Sequence, residues 1–212
     1  SFGDGGTSTA QNPSHTYTTT GTFTVSLTVS GGGGSDTETK TNYITVTETP
    51  PVANFSGTPT SGYKPLNVQF SDSSTGIITS WSWNFGDGST STQQNPSHTY
   101  TSTGTYTVTL TVTGPGGTDT ETKTGYIIVN EAPPVANFSG TPTSGYRPLA
   151  VQFTDGSSGS ITSRSWNFGD GGTSTAQNPS HTYNTTGTFT VTLTVSGPGG
   201  TDTETKIGYV QV

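Results

Sequence analysis

Along the middle of the chain, apolar and polar residues alternate in short runs. Ala53 and Phe55 share one parity in residues 52–56, and Leu66, Val68 and Phe70 share one in residues 66–71. Successive side chains of a strand point to opposite faces, so each run predicts a strand with one buried and one solvated side. Residues 80–85 put Trp83 and Phe85 together, and in residues 105–113 Tyr106, Val108, Leu110 and Val112 alternate with Thr105, Thr107, Thr109 and Thr111. Two further strands are expected at 118–123 and 126–129, after the turn cluster Gly114-Pro115-Gly116-Gly117, which suits glycine's permissive backbone. Six or seven short strands with turn signals at this spacing predict an all-β antiparallel sandwich. Its core should hold Phe55, Phe70, Trp83, Phe85, Tyr106, Val108 and Leu110, and helix should be negligible.

The pattern repeats. Phe2-Gly3-Asp4-Gly5 returns as Phe85-Gly86-Asp87-Gly88 and Phe168-Gly169-Asp170-Gly171, an interval of 83 residues that Tyr17, Tyr100 and Tyr183 also keep. One folding unit is present in tandem. Composition breaks at Glu48-Thr49-Pro50-Pro51 and Glu131-Ala132-Pro133-Pro134, where paired prolines favour a short, stiff, extended linker. The units are therefore 1–49, 50–132 and 133–212. The first has no counterpart of residues 52–83 and so carries only the later strands. Half a sandwich leaves an apolar face bare. The expectation is a slice of a longer array, with the face covered by a preceding stretch of polypeptide or by strands donated from a neighbouring subunit.

Charge and composition narrow the function. Only 9% of residues are charged, the net charge is -7 and the six basic residues are scattered, which leaves no electrostatic footprint for nucleic acid. No apolar run approaches the roughly 20 residues that cross a bilayer as a helix, so any export signal or anchor is expected outside this segment. Cysteine is absent, which excludes disulfide frameworks, thiol catalysis and cysteine metal sites. Threonine fills the polar positions and favours extended backbone.

Three segments taken together resemble a known family: Trp83-Asn84-Phe85-Gly86-Asp87-Gly88, Asn95-Pro96-Ser97-His98-Thr99-Tyr100 and Gly104-Thr105-Tyr106-Thr107-Val108. The chain resembles tandem PKD (polycystic kidney disease) domains. The resemblance implies immunoglobulin-like β-sandwiches of about seven antiparallel strands, non-enzymatic, in an extracellular or cell-surface protein. The family usually has aspartate where Asn84 and Asn167 stand, and Ser1 takes that place in the first unit.

Several residues are candidates for chemistry. His15, His98 and His181 each sit in Pro-Ser-His-Thr-Tyr; one histidine per unit makes a poor metal site, no serine or acidic residue keeps a nucleophile-like spacing to it, and the reading is a packed structural histidine. Asp87 and Asp170 read as turn caps. The rival reading is calcium, with Asp72, Asn84 and Asp87, or Asp155, Asn167 and Asp170, converging beside backbone carbonyls. The threonine row of 105–111 is solvated filler or a surface for sugar, neighbouring filament or ordered water. The charges of Asp119, Glu121 and Lys123 share one strand face, as do Asp36, Glu38 and Lys40 and also Asp202, Glu204 and Lys206, and are expected to block unwanted edge pairing. Trp81 has Arg164 in its slot one repeat on, so it should be at least partly exposed and is a candidate contact for sugar or a neighbouring domain. Asn54, Asn137 and Asn184 match the N-glycosylation acceptor pattern. No catalytic residue and no cofactor other than calcium is implied. The function expected is a structural one: rigid spacers and assembly modules of an extracellular filament, sheath or surface layer, whose partners are neighbouring repeats or copies of the same protein. The alternatives are an adhesive or carbohydrate-binding module, or accessory repeats of a secreted hydrolase.

Overall fold

Seventeen strands and no helix make up the computed structural model, which describes residues 1–212. In the first repeat, β1 (Gly21–Gly31) and β2 (Gly34–Val46) form an antiparallel hairpin from Gly31↔Gly34 out to Gly21↔Val46. Its register slips between Phe23 and Val25. The extra residues on β2 include Asn42 at φ 53°, and Gly125 and Gly208 stand at the same place in the later repeats with φ 61°. Only glycine, or asparagine among side-chain-bearing residues, enters this left-handed region readily, so the bulge selects them.

The second repeat contains β3 (Phe55–Thr58), β4 (Ser61–Tyr63), β5 (Leu66–Asp72), β6 (Ser80–Asn84), β7 (Thr90–Ser91), β8 (Ser97–Tyr100), β9 (Gly104–Gly114) and β10 (Gly117–Asn130). One sheet has the order β3-β5-β8 and the other β4-β10-β9-β6-β7, with β4 parallel to β10. The third repeat follows suit with β11 (Phe138–Thr141), β12 (Leu149–Asp155), β13 (Ser163–Asn167), β14 (Thr173–Ser174), β15 (Ser180–Tyr183), β16 (Thr188–Gly197) and β17 (Gly200–Gln211). Its sheets are β11-β12-β15 and β14-β13-β16-β17.

Three strand expectations need correction. Strand begins at Phe55 rather than at residue 52, because Val52 makes only a single bridge to Thr75. The separate strands expected at 118–123 and 126–129 are one strand, β10, carried through the bulge at Gly125. Ser97–Tyr100 and its counterpart Ser180–Tyr183 are strands although only their tyrosines are strongly apolar.

The core follows the predicted parity. Phe55, Phe70, Trp83, Phe85, Val108 and Leu110 are all buried, as are their third-repeat counterparts. The indole N–H of Trp83 donates to the Gln93 carbonyl and that of Trp166 to the Ala176 carbonyl, both at 2.9 Å, which removes the cost of burying a donor. Tyr106 is the exception among the expected core residues. It is only half-buried, because its hydroxyl donates to the Ser102 carbonyl at 2.8 Å while its ring lies 4.6 Å from that of Tyr100. In the first repeat the same parity stays in solvent: Leu27 and Val29 are 62% and 57% exposed, against 0% for Leu110 and Val112.

Backbone approaches close around two glycines per complete repeat. A Cβ at Gly197 would lie 1.8 Å from the Ser160 carbonyl oxygen, and one at Gly199 would lie 2.2 Å from that of Ala132 in the linker. Gly114 and Gly116 stand the same way to Ile77 and Thr49. Each linker backbone is thus seated on a glycine of the hairpin in the repeat that follows it.

Candidate functional site

Polar chemistry gathers at three places in each complete repeat. The first is the Phe-Gly-Asp-Gly turn. Its closing bond runs from Phe168 N–H to the Gly172 carbonyl at 3.0 Å. Gly169 lies at φ 84° with its Cα so near the facing strand that a Cβ would meet the Thr190 carbonyl at 2.4 Å. Asp170 caps the turn by accepting the Gly172 N–H at 2.9 Å, and its other oxygen lies 2.8 Å from His181 Nε2. The imidazole is stacked on Phe168, with centroids 4.2 Å apart, and meets Tyr183 edge-on. The Tyr183 hydroxyl then donates to the Phe168 carbonyl at 3.0 Å. Asp4 and His15 reproduce the pair at 2.6 Å.

Sequence reasoning took the histidine as a packed structural residue and missed its aspartate partner. The aspartate precedes it by eleven residues in every repeat, a constant offset that could have revealed the pair. Burial opposes the charge on Asp170, but hydrogen bonds from His181 and Gly172 outweigh it and hold the carboxyl below its ordinary range. Burial pushes the Tyr183 phenol up. The pair has no serine or threonine hydroxyl bonded to it, so it orients a turn rather than activating a nucleophile.

A pH dependence follows from that shift. A carboxyl with its folded pKa depressed contributes stability that is present above the unfolded value of about 3.9 and is lost as pH falls through the folded value. Asp170→Asn should therefore cost about 1 kcal/mol at pH 7, and its difference from the parent should shrink below about pH 4. Urea unfolding at pH 7 and pH 3 checks both.

The second place is a half-buried aspartate at the end of β5 and β12. Asp72 accepts the Ser74 N–H at 2.9 Å, the Trp81 indole N–H at 2.7 Å and the Gln94 amide at 3.1 Å. Asp155 accepts the Ser157 N–H at 2.9 Å and the Arg164 Nε–H at 2.5 Å, with 2% of its side chain exposed. Trp81 is half-buried. Its exchange with Arg164 has a physical reason: each supplies one N–H to the same carboxylate nine residues earlier.

These bonds bear on the calcium reading. Asn84 and Asn167 each accept the N–H of the glycine two residues on, at 2.9 Å, and Asp87 accepts that of Ser89 at 3.0 Å. Each oxygen donor is engaged within its own turn or corner, and no three His, Asp or Glu side chains gather to hold a cation. Calcium prefers six to eight oxygen ligands. A chelator should accordingly leave the melting temperature unchanged within about 1 °C, measured by scanning calorimetry with and without added calcium.

The third place holds the charged triplets, whose Asp and Lys members in the complete repeats bind backbone instead of serving as the expected edge blocks. Asp202 accepts the Ala136 N–H at 2.8 Å and Lys206 Nζ donates to the Phe138 carbonyl at 2.5 Å. The ammonium also lies over the Phe138 and Tyr209 rings, at 4.7 and 5.2 Å. Asp119 accepts the Ala53 N–H in the same way. The Asp and Lys of each complete repeat thus reach across to the backbone of the segment facing them, as their inward parity allows.

On the opposite face of that sheet, threonine hydroxyls pair across strands: Thr28 with Thr37, Thr111 with Thr120 and Thr194 with Thr203, at 2.8–2.9 Å. Asn54, Asn137 and Asn184 are exposed, and Asn54 Oδ1 accepts the Phe55 N–H.

Comparison with known proteins gives a consistent result. The PKD domain profile matches residues 1–46, 48–129 and 131–212. Collagenase ColA of Bacillus cereus is 41% identical over 83 residues, which cover 36% of this chain and 8% of that protein; collagenase ColQ1 of Bacillus cereus strain Q1 is 41% identical over 81 residues, again 8% of its length. The chain therefore spans under a tenth of the curated relatives it matches. Among solved structures, the PKD1 domain of the Vibrio cholerae metalloprotease PrtV is 36% identical, covering 38% of this chain and 99% of that one with a TM-score of 0.32. The PKD1 domain of Vibrio anguillarum Epp is also 36% identical, covering 39% and 98% with a TM-score of 0.33.

Proposed function

The chain belongs to the PKD-domain family, and from that premise we propose that it is a non-catalytic extracellular array in which each repeat serves as a spacer and assembly module of a filament, sheath or surface layer. The observation that carries this reading is the seating of each linker. Thr49 and Ala132 place their carbonyls where Gly116 and Gly199 have no side chain, and the linker prolines Pro51 and Pro134 are buried. A linker seated in this way is fixed on the repeat that follows it. Repeating the unit then extends reach by a fixed increment, about 40 Å per repeat from strand rise. The absence of cysteine is compatible with an oxidising exterior.

A second reading is supported by the collagenase match, 41% over one repeat length: accessory repeats attached to a secreted hydrolase. In-frame removal of residues 50–132 from the native polypeptide separates the two. The spacer reading expects a label placed before the array to move about 40 Å closer to whatever follows it, with any hydrolytic activity of the parent unchanged. Loss of activity without a change in distance would overturn it in favour of the accessory role.

A further inference from the structure

The joint between the second and third repeats turns on one carboxylate. Strand β4 runs parallel to the end of β10, with Tyr63 beside Asn130, so the next residue along each chain, Lys64 and Glu131, is carried to the same side of the pair. The Lys64 N–H donates to the Asn130 carbonyl at 3.0 Å and holds that register. Lys64 Nζ then lies 2.6 Å from Glu131 Oε2. The other oxygen, Oε1, accepts the Ser160 hydroxyl of the third repeat at 3.0 Å. Only 16% of the Glu131 side chain is exposed, and the bonds from Lys64 and Ser160 hold its carboxyl below the ordinary range.

Ser160 is itself held in place. Val135 and Ser158 exchange both backbone bonds at 2.9 Å. A Cβ at Gly159, where φ is 93°, would meet Pro134 Cα at 3.0 Å, and the Ser160 carbonyl oxygen sits where a Cβ at Gly197 would lie 1.8 Å away. Lys64, Glu131 and Ser160 fall within one compact unit, which joins Thr58–Val68 and the end of β10 to the third repeat. We propose that Glu131 clamps this joint: its carboxylate ties the end of β4 in the second repeat to the 158–160 turn of the third and fixes the orientation of one on the other. Motion between domains is the default where their interface is small, and a lone surface ion pair does little to oppose it. Here the carboxylate is gripped from both sides, and the Ala132 carbonyl beside it is seated on Gly199. The inference rests on the spacer reading and names the contact that stiffens one joint of the array.

The test measures the distance between two nitroxide labels on the full 212-residue chain, one in each repeat. Cysteine is absent, so Thr101→Cys and Thr185→Cys, both at exposed positions, give a unique pair. The parent should show one narrow distance distribution by double electron–electron resonance, and Glu131→Ala and Lys64→Met should each broaden it about twofold. Ser160→Ala removes a neutral bond and should broaden it less. Exchanging the charges, Lys64→Glu together with Glu131→Lys, should restore the parent width, since the pair re-forms across the same two positions. An unchanged width in Glu131→Ala, or a charge-exchanged chain as broad as Glu131→Ala, would overturn the proposal. So would a loss of more than about 5 °C in either repeat's melting temperature in Lys64→Met, since the pair would then stabilise a fold rather than a joint. None of these failures would touch the repeat-deletion experiment, which reads reach rather than joint width and tests the spacer reading separately.

Discussion

Arg164→Ala will cost the third repeat about 3 kcal/mol of unfolding free energy, and Arg164→Trp will restore most of it. The Asp155 carboxylate is 2% exposed and its Oδ2 takes its bond from Arg164 Nε at 2.5 Å. Removing one partner of a buried pair leaves a charge that is neither solvated nor matched, which costs about 3–5 kcal/mol. The Arg164 side chain is itself 22% exposed, so water reaches part of the gap and the lower end applies. The second repeat meets the same need with the Trp81 indole N–H at 2.7 Å from Asp72, which is why tryptophan should serve at position 164. Calorimetry reads the outcome directly: a repeat of this size should lose about 15 °C in Arg164→Ala, with the second repeat's transition as an internal reference. Equal losses in Arg164→Ala and Arg164→Trp would show that the guanidinium packs for another reason.

Gly197→Ala will destabilise the third repeat by about 3 kcal/mol, whereas Gly31→Ala will change stability by less than about 0.5 kcal/mol. The two glycines occupy the same place in their repeats. At Gly197 a methyl group would lie 1.8 Å from the Ser160 carbonyl oxygen, a backbone atom that can yield only by moving the loop, whereas at Gly31 nothing lies within 4 Å. The pair therefore separates the steric demand of the covered sheet from any intrinsic preference of the turn. Denaturant midpoints for the two variants, compared with the parent, decide it; a large loss in Gly31→Ala would mean that the first repeat's face is covered in solution.

Much of this was legible in the chain because strand parity is a short-range code. Trp83, Phe85, Val108 and Leu110 are buried as their alternation demands. The code is silent where a strand carries few apolar residues, as in Ser97–Tyr100, and misleading where a bulge shifts parity, as at Gly125. Charge roles were harder still. Asp119, Glu121 and Lys123 share the inward parity of β10, and taking that parity at face value would have directed Asp119 and Lys123 to the backbone of the facing segment. The Asp170–His181 pair and the Asp155–Arg164 pair join residues of different elements. The sequence displays them only as offsets, eleven and nine residues, that recur from repeat to repeat.

Each complete PKD repeat is proposed to fold independently as a spacer. Pulling the chain from its two ends by single-molecule force spectroscopy tests this most directly. Two unfolding events are expected, each lengthening the chain by about 240 Å, the extended span of some 80 residues less the folded length. A single event of double length, or gradual extension with no event, would contradict the account.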